Sequence, residues 1–250
     1  MDLDSKVIVF MGDSITEFWQ RESDFFSKNS NFINKGVSGQ TTTQMLHRFQ
    51  KDVIDLNPST VIVLAGINDI AENSGPISID AIRDNIIDMV DLALNSNIKV
   101  ILCTVLPANH FNWNHKVKPA DKVIVLNKMI KMYANNNQIP FVDYYTDMVD
   151  ENYGLQKKFG EDGVHPNVNG YEVMEKTLIP FLVYALVFTV SIAIAQNKIP
   201  TIQGKSYKFE YGHFESNRQT MVCDTTIDCN IDIKIYEDAV LVDSKLRQDY

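Results

Sequence analysis

The chain is poor in the features that mark several classes of protein. Its 250 residues hold three cysteines, Cys103, Cys223 and Cys229, too few and too unevenly spaced for a disulfide scaffold. Glycine and proline, at 11 and 8, are far too sparse for a collagen-like or low-complexity chain. Positive charge is also scarce: 23 Lys and Arg against 32 Asp and Glu leave a net charge of -9. No basic cluster interrupts that acidic background, so no nucleic-acid partner is expected. Long apolar runs are missing from most of the chain. Met1-Asp-Leu-Asp-Ser-Lys leads into only five apolar residues, Val7–Met11, too short for the core of a secretion signal. The expectation is that the first domain folds in the cytoplasm.

What is present is an alternation of two patterns. Val7–Met11, Asn31–Asn34, Thr60–Ala65, Lys99–Val105 and Ile139–Asp143 are short, mostly apolar runs. Near-continuous apolar strands belong to sheets covered on both faces. Between them run amphipathic helices. In 78–97 the apolar residues Ile79, Ile82, Ile86, Val90 and Leu94 recur at three and four, the spacing of one helix face. Segment 120–138 repeats this with Val123, Leu126, Ile130 and Tyr133, and 42–54 more loosely with Met45, Phe49 and Val53. Strands alternating with helices predict an α/β domain, a three-layer αβα sandwich around a parallel five-stranded sheet.

Ligands of such sheets bind beyond the carboxyl ends of the strands. Those are the places where small polar segments occur: Gly12-Asp-Ser-Ile-Thr16, Gly36-Val-Ser-Gly-Gln40, Gly66-Ile-Asn-Asp69 and, past the fifth strand, Asp162-Gly-Val-His-Pro166. A serine hydrolase needs a hydroxyl nucleophile, a neutral imidazole to take its proton, a carboxylate to orient that imidazole, and donors for the oxyanion. Ser14 at a strand-to-helix turn, His165 braced by Pro166, and Asp162 three residues before it can supply the first three.

These four segments resemble the SGNH hydrolases, the GDSL lipase/acylhydrolase family. Its marker Ser, Gly, Asn and His fall on Ser14, Gly39, Asn68 and His165, in family order. The resemblance covers about residues 5–183, and Ile67 in place of the family's usual Thr leaves Asn68 where it belongs. It implies the flavodoxin-like SGNH fold and a serine esterase acting on acetyl or acyl esters. Ser14 would be the nucleophile, His165 the base and then acid, and Asp162 the orienting carboxylate. The N–H groups of Ser14 and Gly39 with the Asn68 amide would form the oxyanion hole. The scheme calls for no metal and no organic cofactor.

Each residue also has a plainer reading. Ser14 could cap a helix, Asn68 could be a turn residue, and 162–165 could be a helix-entry loop. A chance match at all four is a poor account of their shared order. Asp13 and Asp69 are expected to bond loop amides beneath the site. His110, His115 and Asp121 fit no common metal spacing. The loop 106–119 should overhang the catalytic edge, which makes Phe111 or Trp113 a candidate for lining the substrate pocket. An α/β-hydrolase elbow would need Gly-x-Ser-x-Gly, and a dinucleotide site Gly-x-Gly-x-x-Gly; neither is present. A binding domain of the same fold without turnover, holding a carbohydrate or a lipid, is the alternative to an enzyme, and an intact Ser14, Asp162 and His165 argue against it.

The domain is expected to span 1–183, its last helix starting near Val168 and finishing at 180–183. From Thr177 to Asn197 the chain then carries no charge for 21 residues, enough to cross a bilayer as a helix. Three readings compete: a membrane anchor, a buried terminal helix, and a junction with an internal signal-like segment ending in Ala193-Ile-Ala195. In 198–250, Tyr207, Phe209 and Tyr211, and then Ile231, Ile233 and Ile235, alternate with polar neighbours in the manner of short strands. Cys223 and Cys229 could pair there under oxidising conditions.

Overall fold

In the computed structural model of the chain, the residues described are 6–195, with side chains through Leu182, and four short strands beyond. Two compact units divide the chain, Met1–Ser191 and Ile192–Tyr250. Up to Ala195, the elements run β1 (Ile8–Gly12), α1 (Ser14–Glu22), α2 (Phe25–Lys28), β2 (Phe32–Gly36), α3 (Thr42–Asp52), β3 (Thr60–Leu64), α4 (Ile67–Ile70), α5 (Ile79–Asn95), β4 (Lys99–Cys103), α6 (Ala120–Asn136), β5 (Phe141–Val142), α7 (Tyr144–Met148) and α8 (Val168–Ala195). The sheet is parallel throughout, in the order β2-β1-β3-β4-β5.

Register is what assembles the site. Gly12 at the end of β1 pairs with Gly36 of β2 on one side and Leu64 of β3 on the other. Three strands therefore release their chains at one level. Every residue of β1 and β3 is buried, as continuous apolar runs require. The last strand is shorter than its apolar run. Pro140 has no N–H to give a ladder, and only its carbonyl takes part, accepting from Leu102 N at 3.0 Å.

The helices follow their periodicity with one instructive exception. Ile82, Ile86 and Val90 of α5 are buried, but Leu94 is 46% exposed, and Met89 and Ala93 turn inward in its place. Twelve residues at 100° each carry Leu94 about 120° around the helix from Ile82, so repeated steps of four walk off the buried face. The final helix also differs from expectation. It passes through Pro180, at the cost of one i→i−4 hydrogen bond, and continues to Ala195. Among the described residues no helix is long and apolar enough to cross a membrane. The side chains of 183–197, most of the uncharged run, lie outside the described residues.

Packing on one side of the sheet ties the two helices that follow Ser14 and His165. Phe10, Trp19, Phe25, Phe26 and Phe32 form one aromatic cluster. Trp19 of α1 stacks on Tyr171 of α8 at 5.5 Å between ring centroids. The Tyr171 hydroxyl donates to the carbonyl of Ile15 at 2.7 Å, one residue past Ser14. Glu175 of α8 accepts from Trp19 Nε1 at 3.0 Å and from Ser23 Oγ at 2.5 Å.

The second unit is described through two antiparallel pairs: β6 (Thr201–Ile202) with β7 (Lys205–Ser206), and β8 (Ile233–Glu237) with β9 (Val240–Ser244). Ile233 and Ile235 lie in β8. Tyr207, Phe209, Tyr211, Ile231, Cys223 and Cys229 lie outside the described residues.

Candidate active site

The turn after β1 is capped by Asp13, whose Oδ1 accepts from Ile15 N at 2.9 Å. Ser14 is therefore the first residue of α1 rather than its cap, and its N–H is among those that a helix start leaves without an intrahelical partner. The side chain is nearly buried, at 6% exposure. Its hydroxyl lies 2.8 Å from His165 Nε2. On the other side of the imidazole, Nδ1 lies 2.6 Å from Asp162 Oδ2.

The histidine loop supplies its own bracing. Asp162 Oδ1 accepts from the backbone N–H of Val164 at 2.9 Å and of His165 at 2.8 Å. Burial opposes ionisation of Asp162, but the His165 ring and these two N–H groups together hold its carboxyl below the usual range. An ionised carboxylate only accepts hydrogen bonds. Nδ1 must therefore carry a proton, and in the neutral imidazole Nε2 then presents its lone pair to the Ser14 hydroxyl. This is the tautomer that can remove a proton from serine.

Asp13 experiences the reverse. It is fully buried, its Oδ2 meets no hydrogen-bond partner among the described residues, and burial pushes its carboxyl up to about 7. Asp69 is also raised by burial, although it accepts from Thr42 N at 2.8 Å and Thr42 Oγ1 at 2.7 Å. That pair ties the third loop to the start of α3.

The second loop is held from several directions. Val37 N donates to the Gly12 carbonyl at 3.1 Å, Ser38 N donates to Glu17 Oε2 at 2.6 Å, and Asn68 Nδ2 donates to the Gln40 carbonyl at 3.1 Å. Gly36 must lack a side chain because a Cβ there would sit 2.1 Å from Glu17 N. Gly39 has φ +76, a conformation that L side chains rarely adopt, while a Cβ there would meet nothing within 4 Å. The glycine is thus required by its backbone angle, and the space in front of it is open. Its N–H donates to no other described group.

Two aromatic rings flank the imidazole. Phe18 of α1 lies 5.2 Å from the His165 ring and Trp113 lies 6.4 Å from it, centroid to centroid. Trp113 is 48% exposed, whereas Phe111 is 0% exposed and backs the indole at 5.0 Å. Of the two candidates for lining a pocket, only Trp113 has surface to offer. The loop that carries them also reaches the histidine loop, through Asn112 Nδ2 and the Asp162 carbonyl at 3.2 Å.

Ser14, Asp162 and His165 are thus brought together, and Asn68 is tethered to the loop that carries Gly39. Some supporting residues left no motif in the sequence. Arg48 of α3 donates to the carbonyls of Gly12 at 3.1 Å and Lys35 at 2.8 Å, and to Gln40 Oε1 at 2.5 Å. Asn127 of α6 bonds both the N–H and the carbonyl of Val105, at 2.8 and 2.9 Å, and so fixes the root of the Trp113 loop. A helix that is otherwise amphipathic carries a buried Asn at 7% exposure; that was the available signal.

A parallel αβα sandwich with a hydroxyl, an imidazole and a carboxylate in line at its carboxyl edge has the fold of the SGNH hydrolases. The chain belongs to the GDSL-like lipase/acylhydrolase family, whose model matches residues 10–173. Among solved structures, it is similar to a candidate acylhydrolase from Bacteroides fragilis, with 46% identity and a TM-score of 0.72 over 74% of this chain and 90% of that one. A GDSL-like lipase from Bacteroides thetaiotaomicron gives 46% identity and a TM-score of 0.70 over 72% of this chain and 89% of that one. A curated relative, the uncharacterised lipoprotein YqeF of Bacillus subtilis, is 33% identical over 90 residues, which is 35% of this chain. The match spans only 37% of that relative's length.

Proposed function

We propose that the chain is a serine esterase that cleaves carboxylic esters of acetyl or longer acyl groups through an acyl-enzyme intermediate. The reading rests above all on the two hydrogen bonds in series, Ser14 Oγ to His165 Nε2 at 2.8 Å and His165 Nδ1 to Asp162 Oδ2 at 2.6 Å. His165 takes the hydroxyl proton as Ser14 Oγ adds to the ester carbonyl. The resulting imidazolium is stabilised by the Asp162 carboxylate. Negative charge collects on the former carbonyl oxygen, where the N–H groups of Ser14 and Gly39 and one amide hydrogen of Asn68 would receive it. Collapse expels the alcohol, which takes its proton from His165. Water then repeats the cycle on the acyl-enzyme and releases the acid.

The competing reading is a carbohydrate- or lipid-binding domain without turnover. Such a domain has no need of an imidazole held in the tautomer that deprotonates serine. Ser14→Ala separates the two. Hydrolysis of p-nitrophenyl acetate should fall by about three orders of magnitude or more, and labelling by an organophosphonate should disappear. Near-normal turnover in that variant would overturn the esterase mechanism. A series of p-nitrophenyl esters of increasing chain length, run beside acetylated xylan and a lysophospholipid, assigns the acyl preference.

A further inference from the structure

Asn68 can act as an oxyanion donor only if its side-chain amide is turned the right way. The two ends of a carboxamide are nearly the same size, and their orientation is decided by the hydrogen-bond network. Here the deciding group lies outside the four family segments. Asn68 Oδ1 accepts from Asn73 Nδ2 at 2.7 Å, and Asn73 Oδ1 accepts from Trp113 Nε1 at 3.1 Å. An indole N–H can only donate. Trp113 therefore fixes which end of the Asn73 amide faces it, and Asn73 in turn presents its NH2 to Asn68. With its oxygen so occupied, Asn68 turns its own NH2 toward the Gln40 carbonyl, 3.1 Å away. That bond uses one hydrogen and leaves the other for substrate.

The backbone holds the relay in place. Asn73 N donates to the Asn68 carbonyl at 3.0 Å, closing a turn in which Glu72 has φ 62. Each donor in such a series polarises the next and strengthens it. The far end is the half-exposed indole beside His165.

We infer that Asn73 is a positioning residue for ester hydrolysis, holding the Asn68 amide as an oxyanion donor through a one-way hydrogen-bond relay that begins at Trp113. The inference rests on the esterase reading above. Steady-state hydrolysis of p-nitrophenyl acetate by the full chain tests it, with Asn68→Ala, Asn73→Ala, Asn73→Asp, Trp113→Phe and the double variant Asn68→Ala/Asn73→Ala. Asn73→Ala should lower kcat about tenfold with little change in KM, the scale of one lost hydrogen bond felt in the transition state. Asn73→Asp keeps the acceptor for Trp113 but cannot donate to Asn68, so it should do at least as much harm. Trp113→Phe retains an aromatic ring without the N–H, and its loss in kcat should be smaller than that of Asn73→Ala. In the Asn68→Ala background, Asn73→Ala should cost nothing further, because the relay then has no terminus.

A full tenfold loss in that background would overturn the relay, as would wild-type kcat in Asn73→Asp. An effect of Asn73→Ala confined to KM would make it a ground-state contact instead. Thermal melting of each variant guards against misfolding, and Asn73 is an exposed residue, so its variants should melt with the parent. The two levels fail separately. If Asn68→Ala itself leaves kcat untouched, the oxyanion assignment falls; if it lowers kcat by about 10²–10³ while the Asn73 variants are normal, only the relay falls.

Discussion

Asp13 in the nucleophile turn and Asp162 in the histidine loop stand on either side of the Ser14–His165 pair, and their surroundings pull them in opposite directions. Asp13 is sealed in the core with one backbone donor and an oxygen that meets no partner among the described residues, and burial raises its carboxyl to about 7. Asp162 is part-exposed and meets its own loop's N–H groups and the imidazole, which outweigh burial and lower it. The same side chain is thus a reluctant anion at one end of the site and a ready one at the other. The difference lies in how completely each is removed from water and in the number of donors aimed at it. The ready anion is the one that can hold an imidazolium.

Exchanging charge for shape at these positions tests that contrast. Asp162→Asn should have the largest effect. Its amide oxygen can still accept from Val164 and His165, so the loop should persist, but its NH2 cannot take the proton of Nδ1. The imidazole is then driven to the wrong tautomer, and kcat for p-nitrophenyl acetate should fall by about 10³–10⁴. Its stability profile should change on the acid side. The lowered carboxyl of Asp162 contributes stability above the ordinary carboxylate range, lost as pH falls through its folded value, and the variant lacks that loss. A variant with parental kcat would show that the carboxylate charge is not what the imidazole needs.

Asp13→Asn should change stability rather than chemistry. Between about 3.8 and about 7 the folded protein holds a proton on Asp13 that the unfolded chain has released. Rising pH across that window therefore removes stability, by roughly 4 kcal/mol in total. Chemical denaturation at intervals from pH 4 to pH 7 should show a flatter profile in the variant. An unchanged slope would mean that Asp13 is ionised throughout.

Tyr171→Phe is the mildest of the three. It removes the bond from α8 to the Ile15 carbonyl but keeps the ring against Trp19. The cost should be about 1 kcal/mol, for one lost side-chain hydrogen bond, since the Ile15 carbonyl keeps its place in the helix ladder of α1. If melting is unchanged, the link between the nucleophile and histidine sides runs through ring packing and the Glu175 bonds to Trp19 and Ser23.

Much of this was readable before any coordinates. Apolar runs at Val7–Met11 and Thr60–Ala65 and a face such as Ile82, Ile86 and Val90 are local signals, because burial and backbone period act on neighbouring residues. Ser14, Asp162 and His165 stood out as the hydroxyl, carboxylate and imidazole of a serine hydrolase in short polar segments, and Gly39 and Asn68 through the resemblance to the SGNH hydrolases. The departures have equally local causes. Leu94 rotated off its face, Pro140 shortened a strand, and α8 ran on through Pro180. The roles of Arg48 and Asn73, and the bond from the Trp113 indole N–H, were not visible, since each depends on a partner 5 to 40 or so residues away in sequence, such as Asn73 and Trp113 at a separation of 40.

By itself the sequence determined the order of strands and helices, the placement of three polar segments at strand ends and a fourth further on past the fifth strand, and the Asp162–His165 pairing, which spans only three residues. The tertiary structure alone decided that Ser14 Oγ meets His165 Nε2 across a separation of 151 residues, that Asp13 is sealed while Asp162 is open, and that Trp113 rather than Phe111 faces solvent. Hydrophobic pattern and turn chemistry act over a few residues and can be read along the chain. Which donor meets which acceptor, and how much water reaches them, depends on register and packing between distant segments, and those exist only in the folded molecule.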